Sequence, residues 1–254
     1  IDFGDVTIAM RNLLRKQGKQ KFNLGTAAAM TFLTIKDPMF IKGIREVMIR
    51  FGYAAQNKLY QLGKSLHLIQ DQVAHPPATV HKPTVRTQII NFINKPMPGN
   101  LPKRSARALL DIEDDKVIPV IRNPKLSAEE SEAVFYFPGC GSERLFSQVG
   151  LATQAMLYEV GATTVLPPGY LCCGYPQTSG GQEDKGQRIT TDNRVLFHRV
   201  ANTLNYLDIK TVIVSCGTCM DQLQKYQFER IFPGCRLLDI HEYLMEKGVK
   251  LDGV

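Results

Sequence analysis

From residue 131 onward, short apolar runs alternate with segments in which apolar residues recur every three or four positions. The runs Ala133–Phe137, Thr163–Leu166, Thr211–Ser215 and Arg236–Leu238 predict strands. Between the first two, Leu145, Val149, Ala152, Met156 and Val160 keep a helical spacing that Gly161 would close as a C-cap. Ile189, Leu196, Val200, Leu204 and Leu207 predict a longer helix. Cys219, Leu223 and Tyr226 or Gln227 predict a third, and Ile240–Lys247 a fourth. Strands alternating with helices at this length predict an α/β fold, a parallel sheet with flanking helices.

The preceding part of the chain has a different texture. Residues 1–70 read as a helical region. Ile8, Leu13 and Leu14 form part of an apolar face, with Gly18 as its stop. A second helix is predicted from Asp37-Pro38 to about Arg50, with Pro38 in its first turn, and a third from Tyr53 to Leu68. Residues 71–130 are broken by Pro76, Pro77, Pro83, Pro96, Pro98, Pro102, Pro119 and Pro124, with Lys and Arg dense between them. This reads as a basic, Pro-rich connector with one short strand at Val117–Ile121. The expected domains are therefore a helical region (1–70), a connector (71–130) and a cysteine-rich domain (131–254).

The chain has 254 residues, 44% hydrophobic and 22% charged, so it has enough apolar material to fold without disulfide staples. Its net charge of +7 lies mostly in the first half, notably in residues 11–21 and 81–107. No aromatic-interleaved basic motif and no helix-turn-helix pattern accompanies that charge. It reads as a solvated or partner-facing surface, compatible with peripheral membrane contact, and no nucleic acid is expected. Ala27–Leu33 is far too short to span a bilayer. With no recognisable signal peptide the cytoplasm is the default compartment, with the inner face of the membrane as an alternative. Thiols there stay reduced, so a cluster of cysteines reads as metal-binding or catalytic.

Placed on the predicted strands, the cysteines form a pattern. Cys140 comes after the first strand in FPGCG, Cys172 and Cys173 come after the second in PPGYLCCGYP, and Cys216 ends the third in VIVSCGTC. Cys219 lies one helical turn after Cys216. These groups would meet at the carboxyl edge of the sheet, where open α/β sheets bind ligands. Helix N-termini at that edge favour thiolate over thiol. Gly139, Gly141, Gly169, Gly174 and Gly217 would let the backbone come close to a cofactor. Cys235 precedes the fourth strand and is expected at the opposite edge, as a small buried residue and not a ligand.

Several chemistries suit such a set. A structural zinc needs four donors, usually from paired CxxC or CxxH units, and an adjacent Cys172–Cys173 pair sits awkwardly on one tetrahedral ion. Cysteines converging without nearby His suit an iron–sulfur cluster best. A strained Cys172–Cys173 disulfide and a redox dithiol at Cys216–Cys219 remain alternatives.

The pattern Cys140-x31-Cys172-Cys173-Gly174-x41-Cys216-x2-Cys219 resembles the CCG cysteine-rich domain over roughly residues 133–247. That domain occurs in the B subunit of heterodisulfide reductase, in the iron–sulfur subunit of glycolate oxidase and in lactate-utilisation proteins. The resemblance implies that Cys140, Cys172, Cys173, Cys216 and Cys219 bind a [4Fe–4S] cluster, non-cubane in the heterodisulfide reductase member. The gap from Cys173 to Cys216 is longer than in the tightest form of the motif. Ile1-Asp2-Phe3-Gly4 is similar to the segment after the last Cys-Pro of a ferredoxin-type domain in fusions of an FAD-linked oxidase, a ferredoxin domain and a CCG domain. Members usually carry two CCG repeats, and this chain carries one, so it is expected to be a fragment truncated at both ends.

The resemblance further implies an electron-transfer module of a flavin-linked oxidoreductase that oxidises a 2-hydroxy acid such as lactate or glycolate. Flavin and ferredoxin-type domains or subunits would be its partners, and FAD would be bound only outside this chain. Cluster-based heterodisulfide reduction and a zinc-stabilised interaction module are the rival readings. No catalytic residue is identified, for there is no Ser-His-Asp set, P-loop or GxGxxG after a strand. His198 reads as a surface or core histidine, and His241 as a helix-start residue. Glu143 and Arg144 are candidates to line the mouth of the site, and Tyr170 and Tyr175 to shield it, with packing the simpler role for both tyrosines.

Overall fold

The computed structural model describes residues 3–19, 24–67, 102–126 and 131–250. They divide into two units, Ile1–Ile41 with Arg104–Val254, and Lys42–Lys103. Most of the predicted connector, and Leu68 at the end of the third predicted helix, lie outside the described residues.

The larger unit is built on a sheet with strands β1 (Val120–Ile121), β2 (Ala133–Phe137), β3 (Thr163–Val165), β4 (Thr211–Val214) and β5 (Arg236–Asp239). Their order is β1-β3-β2-β4-β5. β2 pairs parallel with both β3 and β4, and β4 pairs parallel with β5. The short β1 pairs antiparallel with β3 and covers its edge, with Val120 opposite Val165. It is the expected connector strand, shortened to Val120–Ile121, and the Pro119 carbonyl before it accepts from the Leu166 N–H at 3.0 Å.

β2 and β4 are buried along their whole length, which is why they read as unbroken apolar runs. Phe135, Phe137, Val165, Val212 and Val214 pack on one face with Phe197, Leu223 and Phe228. Val134, Tyr136 and Ile213 pack on the other with Leu157, Ile240 and Tyr243. Helices therefore cover both faces.

The helices of this unit are α1 (Phe3–Lys16), α2 (Leu24–Thr34), the start of α3 (Pro38–Val47), and α5 (Ala106–Leu110). They continue with α6 (Ser147–Glu159), α7 (Tyr175–Ser179), α8 (Glu183–Thr203), α9 (Gly217–Gln224) and α10 (Ile240–Glu246). The second unit contains the rest of α3, a π-helical turn at Met48–Gly52 and α4 (Tyr53–Ser65). Within it the buried Arg45 guanidinium donates to the Pro102 carbonyl.

Three expectations about helix faces are corrected. In α1, Leu13 and Leu14 are exposed, at 53% and 41%, and Asn12 is the buried residue. The helix is seated by polar groups: Arg11 donates to the Ser179 carbonyl at 2.7 Å, and the Asn12 side-chain oxygen accepts from the Glu183 N–H at 3.3 Å. Asn12 thus caps α8, whose own preceding residue supplies no side-chain cap. In α6 the buried face is Ser147, Gly150, Thr153, Gln154 and Leu157, while Val149 faces out. A Cβ on Gly150 would stand 2.8 Å from the Ser142 carbonyl oxygen and 3.3 Å from Ala106, so close backbone approach sets that face. In α8 the buried stripe is Gly186, Thr190, Asn193, Phe197 and Val200, with Ile189 and Leu196 at its margin.

The connections leaving β2 and β4 run in opposite directions. From β2 the chain moves to β3 on one side. From β3 it crosses back to β4 on the other, and from β4 it continues outward to β5. The carboxyl ends of β2 and β4 therefore flank a topological switch point, where the two loops part and leave a crevice.

Candidate metal centre

Five of the six cysteines lie at that crevice. Cys140 comes after β2 and precedes a π-helical turn, Gly141–Leu145. Cys172 and Cys173 sit in the loop between β3 and α7, and Cys216 is the residue before α9, in extended backbone. Cys219 lies in the first turn of α9. Cys140, Cys172, Cys173 and Cys219 are buried, and Cys216 is half-buried, beside exposed Gly217 and Thr218. Cys235, before β5, lies at the opposite edge of the sheet beside Glu229 and Lys210, and burial pushes its thiol up to about 11.

Sulfur contacts join the five thiols in a line. Cys140 meets Cys172, Cys172 meets Cys173, Cys173 meets Cys219, and Cys219 meets Cys216. The Cys219 Sγ lies 3.5 Å from the Cys173 Sγ. Among the described residues, no three Cys, His, Asp or Glu side chains converge on a single ion.

The line sorts the thiols by proton affinity. Cys173 falls to about 5, chiefly through its contact with Cys172 and then with Cys219. Cys216 also falls to about 5, through Cys219 first and then Thr218, whose hydroxyl lies 3.1 Å from its sulfur. Backbone N–H groups add to both effects, from Tyr175 at the start of α7 and from Thr218 and Cys219 at the start of α9. Cys140 is raised by its contact with Cys172 and by burial, and Cys219 by its contacts with Cys173 and Cys216. At Cys172 the lowering contact with Cys140 is outweighed by Cys173 and burial, leaving it at about 11.

The glycines divide into two kinds. Gly139, Gly169 and Gly174 have φ of +73°, +70° and +90°. Gly139 is the most constrained, since a Cβ there would stand 2.7 Å from the Cys219 Sγ. Gly141 and Gly217 have open space where a Cβ would stand, and no positive φ.

A buried polar layer supports the Cys140 end. Glu143 and Arg144 do not line a mouth: their residues are 2% and 0% exposed. Glu143 is ion-paired with the buried Arg107, yet burial outweighs the pairing and raises its carboxyl. Arg107 also donates to the Pro167 carbonyl at 2.8 Å. Arg144 donates to the Phe32 carbonyl at 2.7 Å, and its charge favours the thiolate of Cys140 four residues earlier.

Both guanidinium groups lie 5.7 Å from the centre of the Tyr170 ring. The Tyr170 hydroxyl donates to Glu113 at 2.7 Å and lies 2.5 Å from the Ser105 hydroxyl, and burial raises its pKa. Tyr175 is half-buried against the core.

A second polar group, one that apolar periodicity does not reveal, supports the paired cysteines. Asn193 on α8 donates to the Cys172 carbonyl at 2.8 Å and to the Tyr226 hydroxyl at 2.9 Å. Tyr226 in turn donates to the Cys173 carbonyl at 2.9 Å. Their signal in the sequence is indirect: Thr190 and Asn193 are polar residues in the register of Gly186, Phe197 and Val200, the face that packs on the sheet.

A model of the Cysteine-rich domain (CCG) family matches residues 134–224, the stretch holding all five cysteines. An uncharacterised iron–sulfur protein of Methanococcus maripaludis is 23% identical over 150 residues, which cover 59% of this chain and 26% of that protein. The probable glycolate oxidase iron–sulfur subunit of Bacillus subtilis is 29% identical over 93 residues, 37% of this chain and 19% of its own. The B subunit of fumarate reductase (CoM/CoB) of Methanothermobacter marburgensis is 30% identical over 112 residues, 44% of this chain and 21% of its own. The chain thus spans about a fifth to a quarter of these relatives. No solved structure matches it. The crevice at the carboxyl ends of β2 and β4, with its five thiols, lies within the stretch that is similar to the CCG cysteine-rich domain.

Proposed function

We propose that Cys140, Cys172, Cys173, Cys216 and Cys219 hold a [4Fe–4S] cluster, and that the domain 131–254 is an electron-transfer module of an oxidoreductase. The observation that carries this reading is the meeting of five thiols, drawn from three loops, at the switch point of the sheet. Five thiols brought together exceed the donors of one tetrahedral ion and suit a group with several irons. A single tetrahedral ion needs four donors around one point. When bound, such a cluster supplies reversible one-electron exchange. The chain holds the donors, aims backbone N–H groups at Cys172, Cys173 and Cys216, and keeps four of the five thiols buried. Electron exchange with a partner would use the Cys216–Thr218 edge, where the site meets solvent.

The names of the relatives extend the proposal. The electrons would come from a flavin-linked oxidation of a 2-hydroxy acid such as glycolate or lactate. Flavin and ferredoxin-type domains or subunits would be the partners, with FAD bound there. No helix among the described residues is long and apolar enough to cross a membrane.

The test is anaerobic preparation of the full chain, then iron and acid-labile sulfide analysis and EPR. Iron and sulfide in near-equal amounts, lost on Cys→Ser exchange at any of the five positions, is the expected result. Zinc alone, or no metal after reconstitution, would refute it. Turnover of a model heterodisulfide by the isolated chain would instead favour the disulfide-reducing reading.

A further inference from the structure

Adjacent cysteines pose a geometric problem. Neighbouring Cα atoms across a trans peptide are ~3.8 Å apart, below the usual disulfide separation of about 4.4–6.8 Å. Such a pair can close on itself only by distorting its own peptide. It can serve two further partners only if its backbone is held in a fixed orientation. Here each thiol has a partner beyond its neighbour: Cys172 also meets Cys140, and Cys173 also meets Cys219.

We infer that Asn193 and Tyr226 form a clip that fixes the Cys172–Cys173 main chain and so aims two neighbouring thiols at different partners. The inference rests on the proposed role of these cysteines as cluster donors. Each carbonyl of the pair has its own donor: Asn193 Nδ2 holds that of Cys172 at 2.8 Å, and the Tyr226 hydroxyl holds that of Cys173 at 2.9 Å. The two clip residues are bound to each other at 2.9 Å, so neither carbonyl can turn without breaking a buried network.

The clip is itself rigid. Asn193 and Tyr226 are 2% and 0% exposed. The Tyr226 ring stacks on Phe197 and Phe228, at centroid distances of 5.9 and 5.8 Å. Asn193 projects from the middle of α8, and α8 and α7 pack closely side by side. Neither residue touches the reacting atoms, so both are positioning residues. Their effect should appear in where the thiols go, even where the fold is intact.

The test uses the full chain and reads thiol direction in two ways. Tyr226→Phe keeps the stacked ring and removes the hydroxyl. Asn193→Ala opens the clip from its other end. In the metal-free protein, diamide oxidises two thiols to a disulfide, taking their two protons and two electrons to become the hydrazine. Mass mapping then identifies which sulfurs were joined. The wild type should give the Cys173–Cys219 disulfide, from sulfurs 3.5 Å apart, and little Cys172–Cys173 product. Each variant should raise the Cys172–Cys173 share several-fold.

After anaerobic reconstitution, Tyr226→Phe should melt near the wild-type temperature yet show a broadened or shifted EPR spectrum. A wild-type disulfide map together with a wild-type spectrum in both variants would overturn the clip. If the wild type takes up no iron, the cluster reading fails, and the disulfide map still decides the clip on its own.

Discussion

Gly139 offers a direct measure of how tightly the backbone wraps the thiols. Its φ is +73°, and a methyl group there would stand 2.7 Å from the Cys219 Sγ. Gly139→Ala therefore carries two costs. The left-handed backbone costs an L-residue roughly 1–2 kcal/mol. The overlap with sulfur forces a shift in a packed site, which typically costs a further ~1–3 kcal/mol.

Gly234 separates the two. Its φ is also +73°, but the nearest atom to its added Cβ is the flexible Lys210 Nζ, at 3.9 Å. Gly234→Ala should thus show the backbone cost alone, and the difference between the two variants reads the sulfur contact. In thermal unfolding, 1 kcal/mol corresponds to about 2–4 °C for a domain of 150–250 residues. Gly139→Ala should melt several degrees below Gly234→Ala, and after anaerobic reconstitution it should hold clearly less iron. Equal melting temperatures and equal iron in the two variants would refute the reasoning, because Cys219 would then not press on residue 139.

Buried and half-buried charges carry further expectations. Glu132 accepts from Lys247 Nζ at 2.6 Å, Thr211 at 2.9 Å and Tyr243 at 3.3 Å. Burial opposes its ionisation, but these partners outweigh it and lower its pKa below 4.5. Its contribution to stability is therefore present above pH 4.5 and lost as pH falls through the lower folded value. The melting-temperature gap between wild type and Glu132→Gln should narrow over that acidic interval, and a gap constant with pH would contradict the assignment. Arg107→Met strands the buried Glu143 carboxylate and should cost about 3–5 kcal/mol, with much of the loss recovered in Arg107→Met/Glu143→Leu; chemical denaturation of both variants checks this. Cys235→Ser, at the far edge of the sheet, should leave iron content and the EPR spectrum unchanged.

The parts of the fold that are legible in the sequence are those where one physical demand dominates. β2 and β4 are covered on both faces, so burial forces continuous apolar runs such as Ala133–Phe137 and Thr211–Val214. The faces of α1 and α6 are not legible that way. α1 is seated by Arg11, which donates to the α7–α8 join, and by Asn12, which accepts from it, and these leave Phe3, Val6, Met10 and Leu13 exposed. Close backbone approach at Gly150 seats α6, with Thr153 and Gln154 turned inward. Apolar periodicity carries no information about either contact. α5 is likewise hidden inside a Pro-rich stretch, although Ser105 is an N-cap whose side chain accepts from the Ala108 N–H.

At the site, position and support are unequally visible. Parallel strands send their carboxyl ends to one edge, so the placement of cysteines just after three strands is enough to separate Cys140, Cys172, Cys173, Cys216 and Cys219 from Cys235. How an adjacent pair could serve one centre is not visible, because the answer lies in other segments. Asn193 and Tyr226 hold the two carbonyls, and Cys140 and Cys219 receive the two thiols from different elements. The awkwardness of Cys172–Cys173 as ligands to a single ion is therefore informative in its own right. A site needing only four thiolates around one point gains nothing from fixing two neighbours toward separate further partners. A clip of buried, mutually bonded polar groups has a use where two neighbouring thiols must reach separate places in the same centre.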